Sequence, residues 1–451
     1  MNALDTLNLG QTGEQKRLSL SNGLTEFPRE ILDLANSLEI LDLSNNQLST
    51  LPEDIGQLKK LRVVFFNNNK FDEFPAALSA CPNLSMVSFK NNNIATIGDD
   101  VLAPSIRWLT LTNNRIDMLP STIGTLTKLQ KLMLAGNKLR SLPKQLADCK
   151  NLELIRLATN QLQEFPTWLL TLPRLSWLAY AGNPFCQTHH SARENSLGRS
   201  LLTIDWDELD VGNVLGQGAS GVIYKGQWTP KADQTGTPKH RDVAIKLFKG
   251  NITSDGSPLD EMDACIAAGN HSNLVTVLGQ LGRHPDGKPG LVFELLPSGD
   301  MPLGSPPSLD SCTRDTYPAK PSFTLPKIGR TALGIASAVA HLHTNGIMHG
   351  DLYAHNILMN EMGDSILSDF GAASFYDPED SPVGNVLEMI EVRAFGCLLE
   401  DLLDRCVLAQ EQEHAALFKR LRRLQHDCIS PVLAQRPRFR TICHSLEDMS
   451  L

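Results

Sequence analysis

The sequence has no CxxC pair. Its nine cysteines, Cys81, Cys149, Cys186, Cys265, Cys312, Cys397, Cys406, Cys428 and Cys443, lie singly along the chain. That scatter gives neither a zinc site nor a disulfide framework, and a reducing compartment is the expected setting. No apolar run approaches the roughly eighteen residues of a membrane-spanning helix, and Met1–Gln11 lacks a basic stretch followed by an apolar one. Neither a span nor a secretory leader is therefore expected, and the expected localisation is cytoplasmic. Basic stripes are also missing. Residues 1–185 carry 18 Lys and Arg against 17 Asp and Glu, and the remainder carries 23 against 33, which argues against nucleic acid as a partner. Aromatic residues are few, at 6%, yet hydrophobic residues reach 41%, too many for a disordered chain.

What the chain does have is self-similarity. A pattern LxxLxLxxN opens at Leu38, Leu61, Leu84, Ile106, Leu129, Leu152 and Leu175 and closes on Asn46, Asn69, Asn92, Asn114, Asn137, Asn160 and Asn183. Alternating leucines such as Leu41 and Leu43 point inward from a short strand. The asparagine then bonds backbone groups where the chain turns out of that strand. An apolar residue and proline follow in Leu51-Pro52, Phe74-Pro75, Leu119-Pro120, Leu142-Pro143 and Phe165-Pro166, and proline stops the strand from continuing. One copy cannot bury its own apolar face, so copies must stack. The pattern resembles the leucine-rich repeat family. A curved solenoid over residues 1–186 is the expectation, with parallel strands on its concave face and Asn183-Pro184-Phe185 as its cap. The third repeat positions, Ile40, Val63, Met86, Trp108, Lys131, Leu154 and Trp177, with Phe65 and Met133 beside them, are expected to form an apolar row that binds a protein, this chain's own second half included. Residues 187–204 are a polar linker, and its His189-His190 pair reads as solvated rather than metal-binding.

The second half, residues 205–451, carries chemistry. Gly216, Gly218 and Gly221 form a GxGxxG followed by Val222-Ile223-Tyr224, so a second strand and not a helix comes next. That favours a hairpin covering phosphates over a dinucleotide turn. An apolar strand ending in Lys246 follows. His349-Gly-Asp-Leu-Tyr-Ala-His-Asn356 and Ser368-Asp-Phe-Gly371 complete four motifs in one order. This half resembles a protein kinase domain, two-lobed and α+β. Its entry Ile204-Asp-Trp-Asp-Glu-Leu209 is similar to the tyrosine-kinase-like branch of Ser/Thr kinases. The whole resembles leucine-rich-repeat kinases of the cytosolic, bacterial-like kind.

The resemblance implies ATP and magnesium as cofactors and assigns roles. Leu215, Gly216, Gly218, Gly221, Ile223, Glu294 and Leu296 would enclose ATP, with Phe293 as gatekeeper. Lys246 would hold phosphates, paired with Glu261 or, as the alternative, Asp263. Asn356 and Asp369 would hold magnesium, and Asp351 would accept the substrate hydroxyl's proton. Ile328–His343 would be the long buried helix and Glu391–Gly396 part of the core helix of the large lobe.

Departures accompany the resemblance. Gly350 stands where an arginine usually precedes the catalytic aspartate, and Tyr353 where a lysine is usual. No Ala-Pro-Glu follows, and only nineteen residues separate Gly371 from Glu391. Arg436 lacks its usual glutamate, for which Glu388 is the expected substitute. Pro297–Pro326 holds seven prolines and reads as an irregular loop. The leading expectation is a Ser/Thr protein kinase; the alternatives are a nucleotide-binding pseudokinase scaffold and a small-molecule kinase. With Gly350 unable to pair with a phosphate, activity is expected not to need phosphorylation of Ser374, Tyr376 or Ser381, and control is expected to come from the solenoid.

Overall fold

A computed structural model describes residues 15–186, 201–218, 220–230, 240–250, 252–318, 323–379, 383–407 and 412–449. The His189-His190 pair and Ser381 lie outside them. The chain divides into two compact units: Met1–Leu172 with Asn183–Phe185, and Pro173–Gly182 with Cys186–Leu451.

The first unit is built from seven three-residue strands: β1 (Arg17–Ser19), β2 (Ile40–Asp42), β3 (Val63–Phe65), β4 (Met86–Ser88), β5 (Trp108–Thr110), β6 (Lys131–Met133) and β7 (Leu154–Arg156). Each pairs in parallel with the next, in one register that aligns Leu41, Val64, Val87, Leu109, Leu132 and Ile155. All six of these side chains are fully buried, each contributing about 1.5–3 kcal/mol to the stack. Phe66, Phe71 and Phe89 fill the core with ring centroids 5.0–5.7 Å apart. After each apolar-Pro pair a 3-10 turn begins, as at Glu53–Gln57 behind Pro52. The one 22-residue step, Asn92 to Asn114, has Ile97-Gly98 at that place, and no such turn forms between β4 and β5.

The asparagines form a ladder. Asn69 donates its amide to the Leu43 and Phe66 carbonyls at 2.9 and 3.2 Å and accepts the Leu48 N–H at 2.9 Å. Asn114, Asn137 and Asn160 repeat the scheme. The capping Asn183 bonds the Leu157 carbonyl and the Leu162 N–H.

The apolar row differs from expectation. Val63, Met86, Met133 and Leu154 are buried, and Trp177 is only 2% exposed. Trp108 is half-buried, with the Lys131 ammonium 4.1 Å from its ring centre, a cation–π contact. The row is therefore not an open hydrophobic patch.

The second unit opens with Pro173–Gly182, which contains β8 (Trp177–Ala179). A six-stranded sheet follows, made of β9 (Thr203–Asp205), β10 (Leu209–Gln217), β11 (Gly221–Trp228), β12 (Arg241–Phe248), β13 (Val277–Gly282) and β14 (Gly290–Glu294), in the order β10-β11-β12-β14-β13-β9. Alternating Val243, Ile245 and Leu247 face its core with Ile204, Leu281 and Val292. Helix α1 (Pro258–Ala268) lies between β12 and β13 in sequence, capped by the Ser257 hydroxyl and started by Pro258. Beyond β15 (Met301–Pro302) come α2 (Leu325–Thr344), β16 (Ile347–Met348), β17 (Ile357–Met359), β18 (Ser365–Leu367), β19 (Ser374–Phe375), α3 (Gly384–Leu403), α4 (Gln412–Cys428) and α5 (Phe439–Glu447). Helix α2 buries Ile328, Thr331, Ala332, Ile335, Val339 and Leu342, spaced three and four residues apart. Apart from β15, the described residues of the proline-rich stretch after β14 are largely irregular, with bridges from Ser305 to Thr316 and from Phe323 to Cys406.

Candidate active site

Strands β10 and β11 form the expected hairpin, bringing the Gly218 N–H to the Gly221 carbonyl at 3.0 Å. Gly221 is required by packing: a Cβ there would lie 2.6 Å from the Leu247 carbonyl oxygen. At Gly216 and Gly218 a Cβ would meet nothing within 4 Å, and the Gly218 carbonyl accepts from Lys249 at 2.9 Å. Ile223 sits opposite Lys246 on β12.

Lys246 makes an ion pair with Glu261 of α1, with both side chains nearly buried. Glu261, and not Asp263, is thus the partner. Burial opposes the lysine's charge, but Glu261 and Asp369 outweigh it and raise its pKa above the ordinary value.

Asp351 and Asn356 sit on one turn because Asn356 donates its amide to the Asp351 carboxylate at 2.9 Å and to its carbonyl at 3.0 Å. The Asn356 side-chain oxygen, Oδ1, then remains as an acceptor, while its backbone carbonyl takes the Ser368 N–H and hydroxyl at 2.9 Å. Asp369 has a left-handed backbone, φ 58°, and its Oδ1 accepts the Gly371 N–H at 3.1 Å. The carboxylate is exposed. Two hard oxygen donors of this kind fit magnesium.

The loop carrying Asp351 is held from below. Glu391 on α3 accepts the N–H groups of His349 and Gly350, and His349 lies 3.1 Å from the Ser368 carbonyl. His343 Nε2 is 2.9 Å from Glu391. Burial works against the Glu391 carboxylate, yet the neighbouring His343 and His349 and the Gly350 N–H outweigh it and hold its pKa below the usual range.

On β14, Phe293 lies opposite Ala244 and Val277. Glu294 is exposed and paired with Arg241 at 2.8 Å. Leu296 is half-buried and Leu215 is 53% exposed, so both remain available to a ligand.

Two expectations are corrected and one is extended. Glu388 does not pair with Arg436: it accepts the Phe439 N–H at 2.8 Å, while Arg436 donates to the carbonyls of Ser430, Met389 and Pro173. Trp177 does not face an outside ligand, because its ring lies against Tyr353. The proline-rich loop, read only as irregular, supplies two working residues. Arg314 binds Glu400, Asp401 and the Cys397 carbonyl of α3 at 2.7–2.8 Å. Asp315 holds the His355 N–H and Nδ1 at 3.1 and 2.7 Å. Burial disfavours the His355 imidazolium, but Asp315 outweighs it and raises its pKa.

A glycine hairpin, a paired lysine and two aspartates on the loops before β17 and after β18 make up the candidate site. Residues 209–392 match the family of protein tyrosine and serine/threonine kinases, and residues 36–79 and 104–162 match leucine-rich repeats. The chain therefore carries leucine-rich repeats followed by a protein kinase domain. Its relatives include an Arabidopsis thaliana L-type lectin-domain containing receptor kinase, VIII.1, 30% identical over 178 residues, 38% of this chain and 22% of the relative. A PR5-like receptor kinase of the same plant is 27% identical over 197 residues, 43% of this chain and 26% of the relative. The chain thus spans about a quarter of the length of the curated relatives it matches. Among the described residues no helix is long and apolar enough to cross a membrane.

Proposed function

We propose that this chain is a magnesium- and ATP-dependent Ser/Thr protein kinase, cytoplasmic, whose repeats recruit a protein. The observation that carries the reading is the formed Lys246–Glu261 pair beside Asp369, with Asp351 held by Asn356. In this reading the hairpin backbone covers the phosphates and Lys246 holds the α- and β-phosphates. Leu215, Ile223, Glu294 and Leu296 frame the adenine. Asn356 and Asp369 hold magnesium, which supplies charge neutralisation at the phosphates. Asp351 accepts the proton of the acceptor hydroxyl. Ser/Thr preference rests on the Ile204-Asp-Trp-Asp-Glu-Leu209 entry. On the repeats, half-buried Trp108 is the residue assigned to a protein ligand.

The scaffold alternative is favoured by one feature, the short stretch between Gly371 and Glu391. Incubation with labelled ATP, magnesium and casein separates the two. Transfer by the native chain and not by Lys246→Met supports the kinase; nucleotide binding without transfer supports the scaffold. Acid hydrolysis of the labelled product identifies the acceptor residue.

A further inference from the structure

Pro173–Gly182 makes contacts that phosphoryl transfer by itself does not require. Trp177 donates its indole N–H to the Leu352 carbonyl at 3.1 Å. Its ring lies flat on Tyr353, with centroids 4.4 Å apart and planes within 7°. Tyr353 stacks in turn on His355 at 5.1 Å, the residue that Asp315 fixes. Four side chains therefore run in series from β8 across the loop that carries Asp351. Further along, the Tyr180 N–H donates to the Ser374 hydroxyl at 3.0 Å, and the Tyr180 hydroxyl donates to the Phe375 carbonyl at 3.3 Å. At the start of the segment the Pro173 carbonyl accepts from Arg436 at 2.8 Å. The fit is close: the cavity beside Trp177 and Tyr353 measures only about 10 Å³.

Gly350 belongs to this arrangement. Its φ is +74°, and a Cβ there would lie 2.6 Å from the Ala372 carbonyl oxygen and 2.7 Å from that of Leu178. An arginine at 350 would occupy the space the Leu178 carbonyl fills. Ser374 is fully buried, and the Tyr376 hydroxyl is buried 2.6 Å from His343 Nδ1. Neither hydroxyl is presented for modification. The reacting side stays open, with Asp369 exposed and Asp351 half-buried. The segment supports the loop from behind and does not plug the site.

We propose that Pro173–Gly182 is a brace in cis for the loop of Asp351 and for the stretch after Phe370, replacing the ordering that a phosphate–arginine pair gives in many kinases. Trp177 is its positioning residue. As a segment of the same chain it engages without the entropy cost of bimolecular association. The consequence for catalysis rests on the kinase reading; the ordering of the loop does not.

The test uses the full chain with Trp177→Ala and, as a folded control that keeps a ring, Trp177→Phe. Amide hydrogen exchange is followed without nucleotide, and kcat and the KM for ATP are measured with casein. A loop misplaced by a fraction of an ångström to about 1 Å loses about tenfold to a hundredfold in rate. Trp177→Ala should therefore lower kcat by that factor, leave the KM for ATP within about twofold, and speed exchange over 352–356 and 372–376. Trp177→Phe should fall between it and the native chain. Faster exchange with kcat unchanged would overturn the positioning role, and a raised kcat would replace the brace with a restraint. If the native chain transfers no phosphate, the kinase reading fails alone, and exchange still decides the brace: unchanged rates in both variants refute it.

Discussion

Glu391 accepts the backbone N–H of Gly350 at 2.8 Å from the middle of a buried helix. One carboxylate thereby fixes two successive peptide units directly before Asp351. Glu391→Gln keeps the shape but turns amide hydrogens toward one of those donors. A loss of about 2–3 kcal/mol is expected in urea unfolding at pH 7. The pH dependence has a definite sign. The folded pKa of Glu391 is lowered, so its stabilisation is complete above the usual carboxylate range and is lost as pH falls through the lowered folded value. The difference between native chain and variant should shrink on acidification; a constant difference would mean that the charge is not what matters.

Asp351→Asn should cut transfer by about a hundredfold or more while nucleotide affinity holds, because a general base acts on the acceptor. Asp369→Asn should instead weaken magnesium-dependent nucleotide binding. Titration with a fluorescent ATP analogue, with and without magnesium, distinguishes the two. Equal effects of both variants on binding would show that the roles are misassigned.

Phe293→Gly should open space behind adenine, since Phe293 lies on β14 opposite Ala244. ATP analogues with bulky N6 groups then become substrates of the variant and not of the native chain. A folded variant that refuses them all places the nucleotide elsewhere.

In the repeats, Asn114→Ala removes two donated bonds at 2.9 Å and leaves the Ile94 N–H without its 3.0 Å acceptor. A cost of about 3 kcal/mol is expected. Because stacked repeats respond through their neighbours, faster amide exchange should centre on Ile94 and the adjoining turns. Uniform loosening of both compact units would contradict this.

Ser374→Ala should be mild, since it loses one hydroxyl acceptor. Ser374→Asp buries a charge where Tyr180 supplies a single N–H, and a penalty on the order of 3 kcal/mol should appear as a lowered Tm. Mass spectrometry of active protein should find no phosphate on Ser374 or Tyr376. Stoichiometric phosphate on either residue would refute their sequestration.

Both halves were legible in the sequence because their signals are local. A strand, its asparagine and its proline recur within 23 residues, and the residues proposed to hold phosphates and magnesium sit in short motifs. Glu261 could be named because it lies on the helix that follows Lys246. The stack of Trp177 on Tyr353 joins residues 176 apart in sequence, with no shared periodicity to announce it. Asp315 was hidden among prolines that signal only irregular backbone. Glu388 reads from the sequence as a carboxylate for Arg436, whereas the guanidinium takes three carbonyls that any residues could supply. Gly350 shows in the sequence only as a missing side chain; that the Leu178 and Ala372 carbonyls fill its place depends on the fold.

The boundary suggested by the repeats has a practical cost. A chain cut at Leu202 keeps every residue proposed to meet the nucleotide yet leaves behind Trp177, Tyr180 and the Pro173 carbonyl. The Tyr353 ring face, the Ser374 hydroxyl and one arm of Arg436 would then meet water. The smallest inheritable piece of the kinase domain therefore begins inside the last repeat, and recombination that swaps whole repeat arrays would carry off part of that domain's own core.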